Sequence, residues 1–303
     1  MKRAVGAVAV VAVAATVGVQ ALGANGRSGP ARAADLVEIH SAHGASYVPA
    51  LQGKRPLFIL AMGSDARPGQ SVAGQRADSI HIIGVDLKRH RATILGFPRD
   101  SWVHIPGHGT TKINTAMTLG GPRLMVRTVE SITGIRMDFW MLTSFGGLIR
   151  MVNGVGGFKV YVPRPMHDRF SGANFRKGTQ HFSGREALAF ARDRHDVPGG
   201  DFGRSRNQGR LMLAALSQLH RVFKNSPGRI FEWIAVGWRN IRTDLSVNTL
   251  LDLALTATSI PPKNVRNLVV PARTGQVGSA SVVFISSSAR RIYADMRRDG
   301  VVG

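Results

Sequence analysis

The sequence predicts an α/β fold in which a central mixed sheet is covered by helices on both faces, in an α-β-α arrangement. Two observations lead to this prediction. From Pro56 onward, apolar runs of strand length alternate with longer segments of helical periodicity. In addition, the charged motifs lie at the ends of the apolar runs, where α/β folds place their ligand-binding loops. We interpret residues 51–302 as one domain.

The first three predicted strands lie close together in the chain. Residues 57–62 form a continuous apolar run, and residues 79–85 and 92–97 form a second and a third. Because only a short polar turn separates the second from the third, these two are expected to pair as antiparallel neighbours. Later apolar runs predict strands at residues 139–142, 157–162, 268–270 and 282–285.

Helical signals fall between and after these strands. Pro122 occupies a first-turn position and predicts the helix that follows it, and a capping box that begins at Ser183 opens a helix through Ala191. A longer helix is predicted from Arg204 to residue 223, with Gln208 on the same face as Arg204 because the two are four residues apart. Further helices are predicted at residues 230–238, 247–255 and 289–296.

The N-terminus predicts export. Lys2 and Arg3 precede an almost uninterrupted run of small and apolar residues that is long enough to span a bilayer. Two cations on the leading side place that end in the cytoplasm and the remainder of the chain outside. We interpret residues 1–24 as a single-pass signal anchor in the cell membrane, with a signal peptide cleaved near Ala33 as the alternative. Residues 25–50 read as a linker to an extracytoplasmic domain.

The composition indicates a polyanionic partner. Lysine and arginine together number 40 against 18 acidic residues, a formal charge of +22. Such a surface attracts nucleic acid, anionic lipid or an acidic polymer. Export and the lack of aromatic and basic interleaving argue against nucleic acid. The absence of cysteine excludes a disulfide framework, a thiol nucleophile and a thiolate metal site.

Five short charged clusters carry the chemistry of the chain. Arginines offer a fixed fork of donors to phosphate oxygens, and carboxylates with room for water suit Mg²⁺. Their combination indicates a site for a phosphate-rich ligand and a divalent metal. Adjacent antiparallel strands bring Asp65, Asp78 and Arg99 to one edge of the predicted sheet. The clusters are residues 63–67, 76–79, 98–100, 192–194 and 200–204, the last followed by Gln208.

Each cluster also has a plainer interpretation. A single arginine and aspartate pair is usually a surface ion pair of little energetic value. Arg192 and Arg194 end a predicted helix, where cations complement the helix dipole, and Asp100 is able to cap the following turn. His104 and His108 have the spacing of a zinc pair, but the proline between them denies a helix and no third ligand is evident.

The clusters and their neighbours form one ordered series of motifs. The series reads Gly63-Ser64-Asp65-x-Arg67, Arg76-x-Asp78-Ser79, Pro98-Arg99-Asp100, Ile105-Pro106-Gly107-x-Gly109, Lys112-Ile113-Asn114, Ala191-Arg192-x-Arg194 and Gly200-Asp201-x-x-Arg204-x-x-x-Gln208. In order and spacing, over residues 57–219, it resembles the LytR-CpsA-Psr family of cell-wall glycopolymer ligases. The resemblance also fits the predicted anchor, since members of that family are typically single-pass proteins with an extracytoplasmic domain.

The resemblance implies a phosphotransferase that takes a glycopolymer from a polyprenyl-pyrophosphate carrier and joins it to peptidoglycan as a phosphodiester, releasing polyprenyl monophosphate. It implies that Asp65 and Asp78 bind Mg²⁺, with Mn²⁺ as a substitute. Arg99, Asp201 and Asp100 are the implied catalytic residues, and either of these carboxylates is a candidate general base. The residues implied to bind the pyrophosphate are Arg76, Arg99, Arg192, Arg194, Arg204 and Gln208.

The family fold further implies an apolar tunnel for the prenyl tail beneath the sheet. Candidate lining residues, which also read as plain core, are Val126, Val129, Leu142, Phe145, Leu148 and Leu188. Two other functions stay open from the residues alone. One is a hydrolase that cleaves polyprenyl pyrophosphate with water, and the other is a non-enzymatic protein that binds or regulates wall polymer through its basic surface.

Overall fold

The computed structural model describes residues 37–43, 49–66, 70–225, 241–243 and 245–303. The predicted anchor at residues 1–24, Arg67 and the predicted helix at 230–238 lie outside this part of the chain. Within the described ranges, no helix combines the length and the apolar character needed to cross a membrane.

The described residues contain thirteen strands and six α-helices. The strands are β1 (Val37–Ser41), β2 (Leu57–Ser64), β3 (Ala77–Asp86), β4 (Arg91–Gly96), β5 (Trp102–Ile105), β6 (Gly109–Lys112), β7 (Phe139–Thr143), β8 (Phe158–Val162), β9 (Gly178–Phe182), β10 (Ile241–Thr243), β11 (Val265–Val269), β12 (Ala272–Val277) and β13 (Ala280–Ile285). The helices are α1 (Thr115–Thr133), α2 (Phe145–Gly154), α3 (Gly184–Arg192), α4 (Asp201–Asn225), α5 (Val247–Thr256) and α6 (Ala289–Asp299).

Seven of the described strands form a mixed central sheet in the order β10-β1-β7-β2-β3-β4-β11. Strands β2, β3 and β4 form an antiparallel meander, and β1 is antiparallel to β7. Parallel pairs join β7 to β2, β4 to β11 and β1 to β10. The prediction of a mixed sheet is therefore confirmed.

Three predicted strands have a context that the sequence did not indicate. Residues 157–162 correspond to β8, which pairs only with β9 in a separate hairpin, and 282–285 lie in β13, which pairs with β12. Residues 268–270 overlap the end of β11, which extends the central sheet beside β4. The apolar pattern identified these segments as strands but carried no information about their partners.

Alternating side chains divide the core into two layers, one on each face of the sheet. In β2, Leu57 and Ile59 face the layer closed by α4 and α5, whereas Phe58 and Leu60 face the layer closed by α1 and α6. A third cluster joins α2 and α3 to the β8-β9 hairpin. Helices therefore cover both faces, as the α-β-α prediction requires.

The central sheet includes part of the segment interpreted as a linker. Strand β1, Val37–Ser41, pairs with β7 over five residues and with β10 over three. Its short length and mixed composition gave little strand signal, because its position in the sheet depends on partners more than 90 residues away. The sheet therefore takes in residues from the middle of the 25–50 segment.

Helix α1 confirms the significance of Pro122. Gly120 and Gly121 adopt non-helical backbone angles inside α1, and Gly121 has a positive φ of 64°. The helix is thus two segments joined by a kink, and Pro122 starts the second segment. Proline is tolerated there because the N–H that it lacks would have no acceptor within the helix. The second segment packs Leu124, Met125 and Val129 against the sheet.

Candidate active site

The ends of β2, β3 and β4 form one half of the site. Asp65 directly follows β2, Asp78 is the second residue of β3, and Arg99 lies three residues beyond the end of β4. The backbone N–H of Asp65 donates to the carbonyl of Arg76 at 3.2 Å, and the Arg99 guanidinium forms an ion pair with the Asp78 carboxylate. The three clusters that the sequence placed at one sheet edge do meet there.

The C-terminus of α3 and the first turns of α4 form the other half. Gln208 joins the two halves, since its Nε2 donates to the carbonyl of Asp78 and to the carbonyl of Ala191, each at 3.2 Å. Arg204 is 5% exposed and pairs with Asp201 at 2.9 Å between Nη2 and Oδ1. Motifs separated by more than 100 residues therefore lie at one place in the fold.

Three carboxylates surround the Arg99 guanidinium. Burial by itself would lower the pKa of Arg99, but the charges of Asp78, Asp201 and Asp100 outweigh it and raise the pKa. The pKa of Arg204 is lowered, mainly by burial, with Asp201 opposing the shift and the positive charge of Arg99 adding to it. Arginine stays charged in both cases, so the site holds two partly desolvated guanidinium groups close to each other.

The remaining predicted arginines are exposed at the rim. Arg76, Arg192 and Arg194 have no carboxylate within ion-pair distance among the residues that the structure describes. Arg192 stacks its guanidinium over the ring of Phe145, with 5.1 Å from Cζ to the ring centroid. These side chains are available to an anionic ligand.

Asp100 forms an ion pair that the sequence motif indicated only weakly. The ammonium group of Lys112, at the end of β6, lies 3.2 Å from Asp100 Oδ1, and Arg99 Nε lies 4.0 Å from Oδ2. Asn114, in the same motif as Lys112, makes no side-chain cap to α1, and Lys112 neutralises a carboxylate of the site.

Asp65 and Asp78 are suited to a divalent cation. The pKa of Asp65 is raised, first by burial and second by the negative charge of Asp78, so the two carboxylates lie near each other. Asp65 Oδ1 is buried and has no hydrogen-bond partner among the described residues. No group of three His, Cys, Asp or Glu side chains able to hold a metal occurs in the described residues. Two carboxylates leave most of the coordination shell to water and substrate oxygens, a pattern that Mg²⁺ accepts.

An apolar cavity of about 990 Å³, counting its open mouth, begins beside Asp78. Asp78, Arg192, Arg204 and Gln208 lie at its polar end. Along α4 the lining continues from Arg204 to Met212, eight residues or about 12 Å further on. The apolar lining residues come mainly from the sheet and from α2, α3 and α4, and they include Ala61, Ile83, Met141, Phe145, Leu148, Met151, Phe158, Leu188 and Leu211.

Four of the six predicted tunnel residues line this cavity, namely Leu142, Phe145, Leu148 and Leu188. The prediction was wrong for Val126 and Val129. Both lie on α1, which packs against the opposite face of the sheet, and both belong to the core layer shared with α6. Helical periodicity identifies a buried stripe, but it does not show which face of the sheet that stripe covers.

Sequence reasoning missed a buried polar chain beside the site. His81 lies on β3, fully buried, with Nδ1 3.1 Å from the Ser79 hydroxyl and Nε2 3.1 Å from the backbone carbonyl of Ser205 on α4. A side chain at Gly96 would meet Ser205 Oγ at 2.1 Å, so this glycine permits the close approach of α4. Two polar residues on the same face of an otherwise apolar strand were the available signal.

We expect His81 to make stability depend on pH. Burial lowers the pKa of His81 to about 4, below the value of about 6.5 in an unfolded chain. At pH values between these two pKa values, the unfolded state binds a proton at His81 and the folded state does not. The free energy of unfolding should therefore fall by about 3 kcal/mol as the pH drops from about 7 to about 4. Urea unfolding of wild type and His81→Gln over this range checks it, since the variant should lack that part of the decline. Parallel pH profiles would contradict the prediction.

Comparison with known proteins identifies the family and the fold. The LytR_cpsA_psr family matches residues 27–296. The probable cell wall biosynthesis protein LcpB of Corynebacterium glutamicum is 36% identical over 170 residues, which are 52% of this chain and 41% of the relative. The polyisoprenyl-teichoic acid–peptidoglycan teichoic acid transferase TagV of Bacillus subtilis is 28% identical over 247 residues, 79% of this chain and 62% of TagV. This chain spans about half the length of the curated relatives it matches.

Solved structures share the fold. The crystal structure of Bacillus subtilis TagV has a TM-score of 0.68 and 27% identity, covering 80% of this chain and 96% of that chain. A structure of TagT bound to LI-WTA has a TM-score of 0.67 and 24% identity, covering 86% of this chain and 96% of the other. The α/β architecture described above is thus the one found in these proteins.

Proposed function

Because this chain belongs to the LytR_cpsA_psr family, we propose that it is a phosphotransferase of cell-wall assembly. It moves a glycopolymer from a polyprenyl-pyrophosphate carrier onto peptidoglycan, leaves a phosphodiester, and releases polyprenyl monophosphate. We also propose that residues 1–24 anchor it in the cell membrane, with the catalytic domain outside. The name of TagV, a teichoic acid transferase that acts between a polyisoprenyl carrier and peptidoglycan, supports the donor and acceptor classes.

The observation that carries the proposal is the continuity of cavity and cation cluster. An apolar cavity that opens at Arg192, Arg204 and Gln208 fits an amphiphile with an anionic head and a hydrocarbon tail. A soluble nucleotide has no hydrocarbon tail for the apolar cavity, and an uncharged lipid has no anion for the partly buried arginines. Polyprenyl pyrophosphate has both parts in the required order.

The arginines bind and orient the pyrophosphate. Arg99 and Arg204 provide partly desolvated charge, which acts more strongly on phosphoryl oxygens than the same charge in water. Arg76, Arg192 and Arg194 close around the ligand from the rim. Asp65 and Asp78 would hold Mg²⁺, which when bound supplies further neutralisation of phosphate charge.

The reaction exchanges one phosphorus–oxygen bond for another. An acceptor sugar hydroxyl forms a bond to the sugar-side phosphorus, and the bond from that phosphorus to the bridging oxygen breaks, so lipid monophosphate leaves. The hydroxyl proton requires an acceptor. Asp201 and Asp100 are both candidates: Asp201 pairs with Arg204 through Oδ1 and its Oδ2 has no partner among the described residues, whereas Asp100 pairs with Lys112 and Arg99.

The test uses the full-length protein in detergent with a prenyl-pyrophosphate oligosaccharide and Mg²⁺, with and without peptidoglycan fragments. Lipid monophosphate and modified sugar are followed by mass spectrometry. We expect sugar phosphate on peptidoglycan in step with lipid monophosphate release. Lipid monophosphate release at the same rate with and without peptidoglycan fragments would identify a pyrophosphate hydrolase. No turnover of a competent substrate, with binding retained, would identify a polymer-binding protein.

Filling the cavity is expected to separate tail recognition from head recognition. Leu148 lines the cavity and is partly exposed, so Leu148→Trp can occupy its space without overpacking the core. Affinity for a prenyl pyrophosphate should fall at least about tenfold, because buried methylene groups are displaced. Affinity for inorganic pyrophosphate should not change. Calorimetric titration of both ligands, with the exposed Leu119→Trp as control, checks this, and equal prenyl affinity in the variant and wild type would exclude the cavity as the tail site.

A further inference from the structure

Gln208 presents an acceptor, and no donor, to the mouth of the cavity. Both partners of its Nε2 are backbone carbonyls, which only accept, so the amide orientation is fixed and both N–H groups are used. No described residue donates to Gln208 Oε1. The atom that Gln208 offers to a ligand is therefore a carbonyl oxygen, which does not suit the pyrophosphate contact expected from the sequence.

Ser79 is an acceptor for a related reason. His81 Nε2 lies 3.1 Å from the carbonyl of Ser205, which only accepts, and 3.4 Å from the Ser205 hydroxyl, so a proton on Nε2 satisfies the shorter contact while the hydroxyl serves as a second acceptor. No carboxylate lies within ion-pair distance of His81 in the described residues, so a charged imidazole there would be unpaired and fully buried. The neutral ring then accepts at Nδ1, and the hydrogen of the Ser79 hydroxyl points at His81. The lone pairs of Ser79 Oγ remain for a ligand.

Both acceptors line the same cavity. Gln208 donates to the backbone carbonyl of Asp78, the residue before Ser79, and both side chains line the cavity where it meets the arginines. Oxygen acceptors at this place repel phosphoryl oxygens. They suit groups that donate hydrogens.

We propose that Ser79 and Gln208 form a subsite for sugar hydroxyls next to the reacting phosphate, with one hydroxyl hydrogen for each of the two oxygens and with His81 as the residue that fixes the orientation of Ser79. This inference rests on the proposed function, because that function supplies the sugar. The hydroxyls belong either to the acceptor saccharide, beside the one that reacts, or to the first sugar of the lipid-linked donor. In both cases the subsite holds the hydroxyls by their hydrogens while the arginines hold the phosphate by its oxygens.

Kinetics of Ser79→Ala test the subsite. Loss of one hydrogen bond to a neutral group should raise one sugar-dependent KM about tenfold, while binding of sugar-free prenyl pyrophosphate stays as in wild type. A higher KM for the peptidoglycan fragment assigns the acceptor hydroxyl, and a higher KM for the lipid-linked saccharide assigns the donor sugar. Ser79→Thr should restore the wild-type value. Ser217→Ala, an exposed change on α4, serves as control.

Two outcomes would overturn the inference without touching the proposed function. One is unchanged KM for both saccharides in Ser79→Ala while transfer proceeds. The other comes from ¹⁵N NMR of full-length wild type near pH 7, where we expect His81 protonated at Nε2 and bare at Nδ1. A proton on Nδ1 would contradict the orientation of Ser79. If wild type instead transfers no sugar at all, the proposed function fails, and the NMR result still decides the geometry.

Discussion

Arg99→Ala should lower the rate of glycopolymer transfer by about a thousandfold or more, the range found for a preorganised cation or donor at a developing negative charge. The reason is more than a lost contact. Arg99 forms an ion pair with Asp78, so its removal also leaves that carboxylate without its partner beside the proposed pyrophosphate site. The variant site should attract the substrate less strongly than the wild-type site does. Steady-state transfer and lipid monophosphate release measure the effect.

Two further variants make this result specific. Arg99→Lys keeps the charge but loses the planar fork, so it should recover only part of the activity. Arg298→Ala removes an arginine whose side chain is 73% exposed on α6, and it should behave as wild type. Thermal unfolding of each variant shows whether the fold is retained. Full transfer activity in a folded Arg99→Ala protein would refute the catalytic interpretation and favour a polymer-binding protein.

Asp65→Asn should weaken Mg²⁺ binding by at least about tenfold to a hundredfold. That loss is usual when a residue that hydrogen-bonds to a metal ligand is mutated, and Asp65 is itself proposed as a ligand. It should also make the metal-free protein more stable than wild type. Burial and the nearby charge of Asp78 raise the pKa of Asp65, so the ionised carboxylate is unfavourable when no cation balances it. A neutral amide removes that repulsion.

Calorimetric titration with Mg²⁺ and thermal unfolding in chelator measure both effects of Asp65→Asn. The matched control for Mg²⁺ affinity is Asp252→Asn, a carboxylate on α5 outside the site, which should leave that affinity unchanged. Since the stability gain comes from ionised Asp65, it should shrink as the pH falls and wild-type Asp65 becomes protonated. Unchanged Mg²⁺ affinity would remove Asp65 from the proposed metal site.

The sequence predicted the half of the site that depends on local pattern. Apolar runs located β2, β3 and β4, and antiparallel pairing of chain neighbours then placed Asp65, Asp78 and Arg99 at one edge. The capping box at Ser183 likewise located α3, because a helix start is a short-range feature. Both kinds of signal lie within a few residues of the structure they predict.

The other half of the site depends on contacts between distant residues. Nothing in the motif around Gln208 shows that its amide joins β3 to α3, or that both of its N–H groups are used in doing so. The pairing of Lys112 with Asp100 depends on the β5-β6 hairpin, which has no apolar alternation on its exposed strand β6. Residue type predicted which groups take part in the site, and only the fold shows which of their atoms remain available to bind a ligand.

If the protein is anchored in the membrane as proposed, a prenyl tail that enters the open mouth of the apolar cavity moves from one hydrocarbon environment to another. The exchange then carries little of the driving force that removal from water would supply. Entry of the tail into the cavity and its return to the membrane should then be similarly favourable. The direction of the cycle would be set at the head of the ligand, where the loss of one phosphate group reduces the charge that the arginines hold.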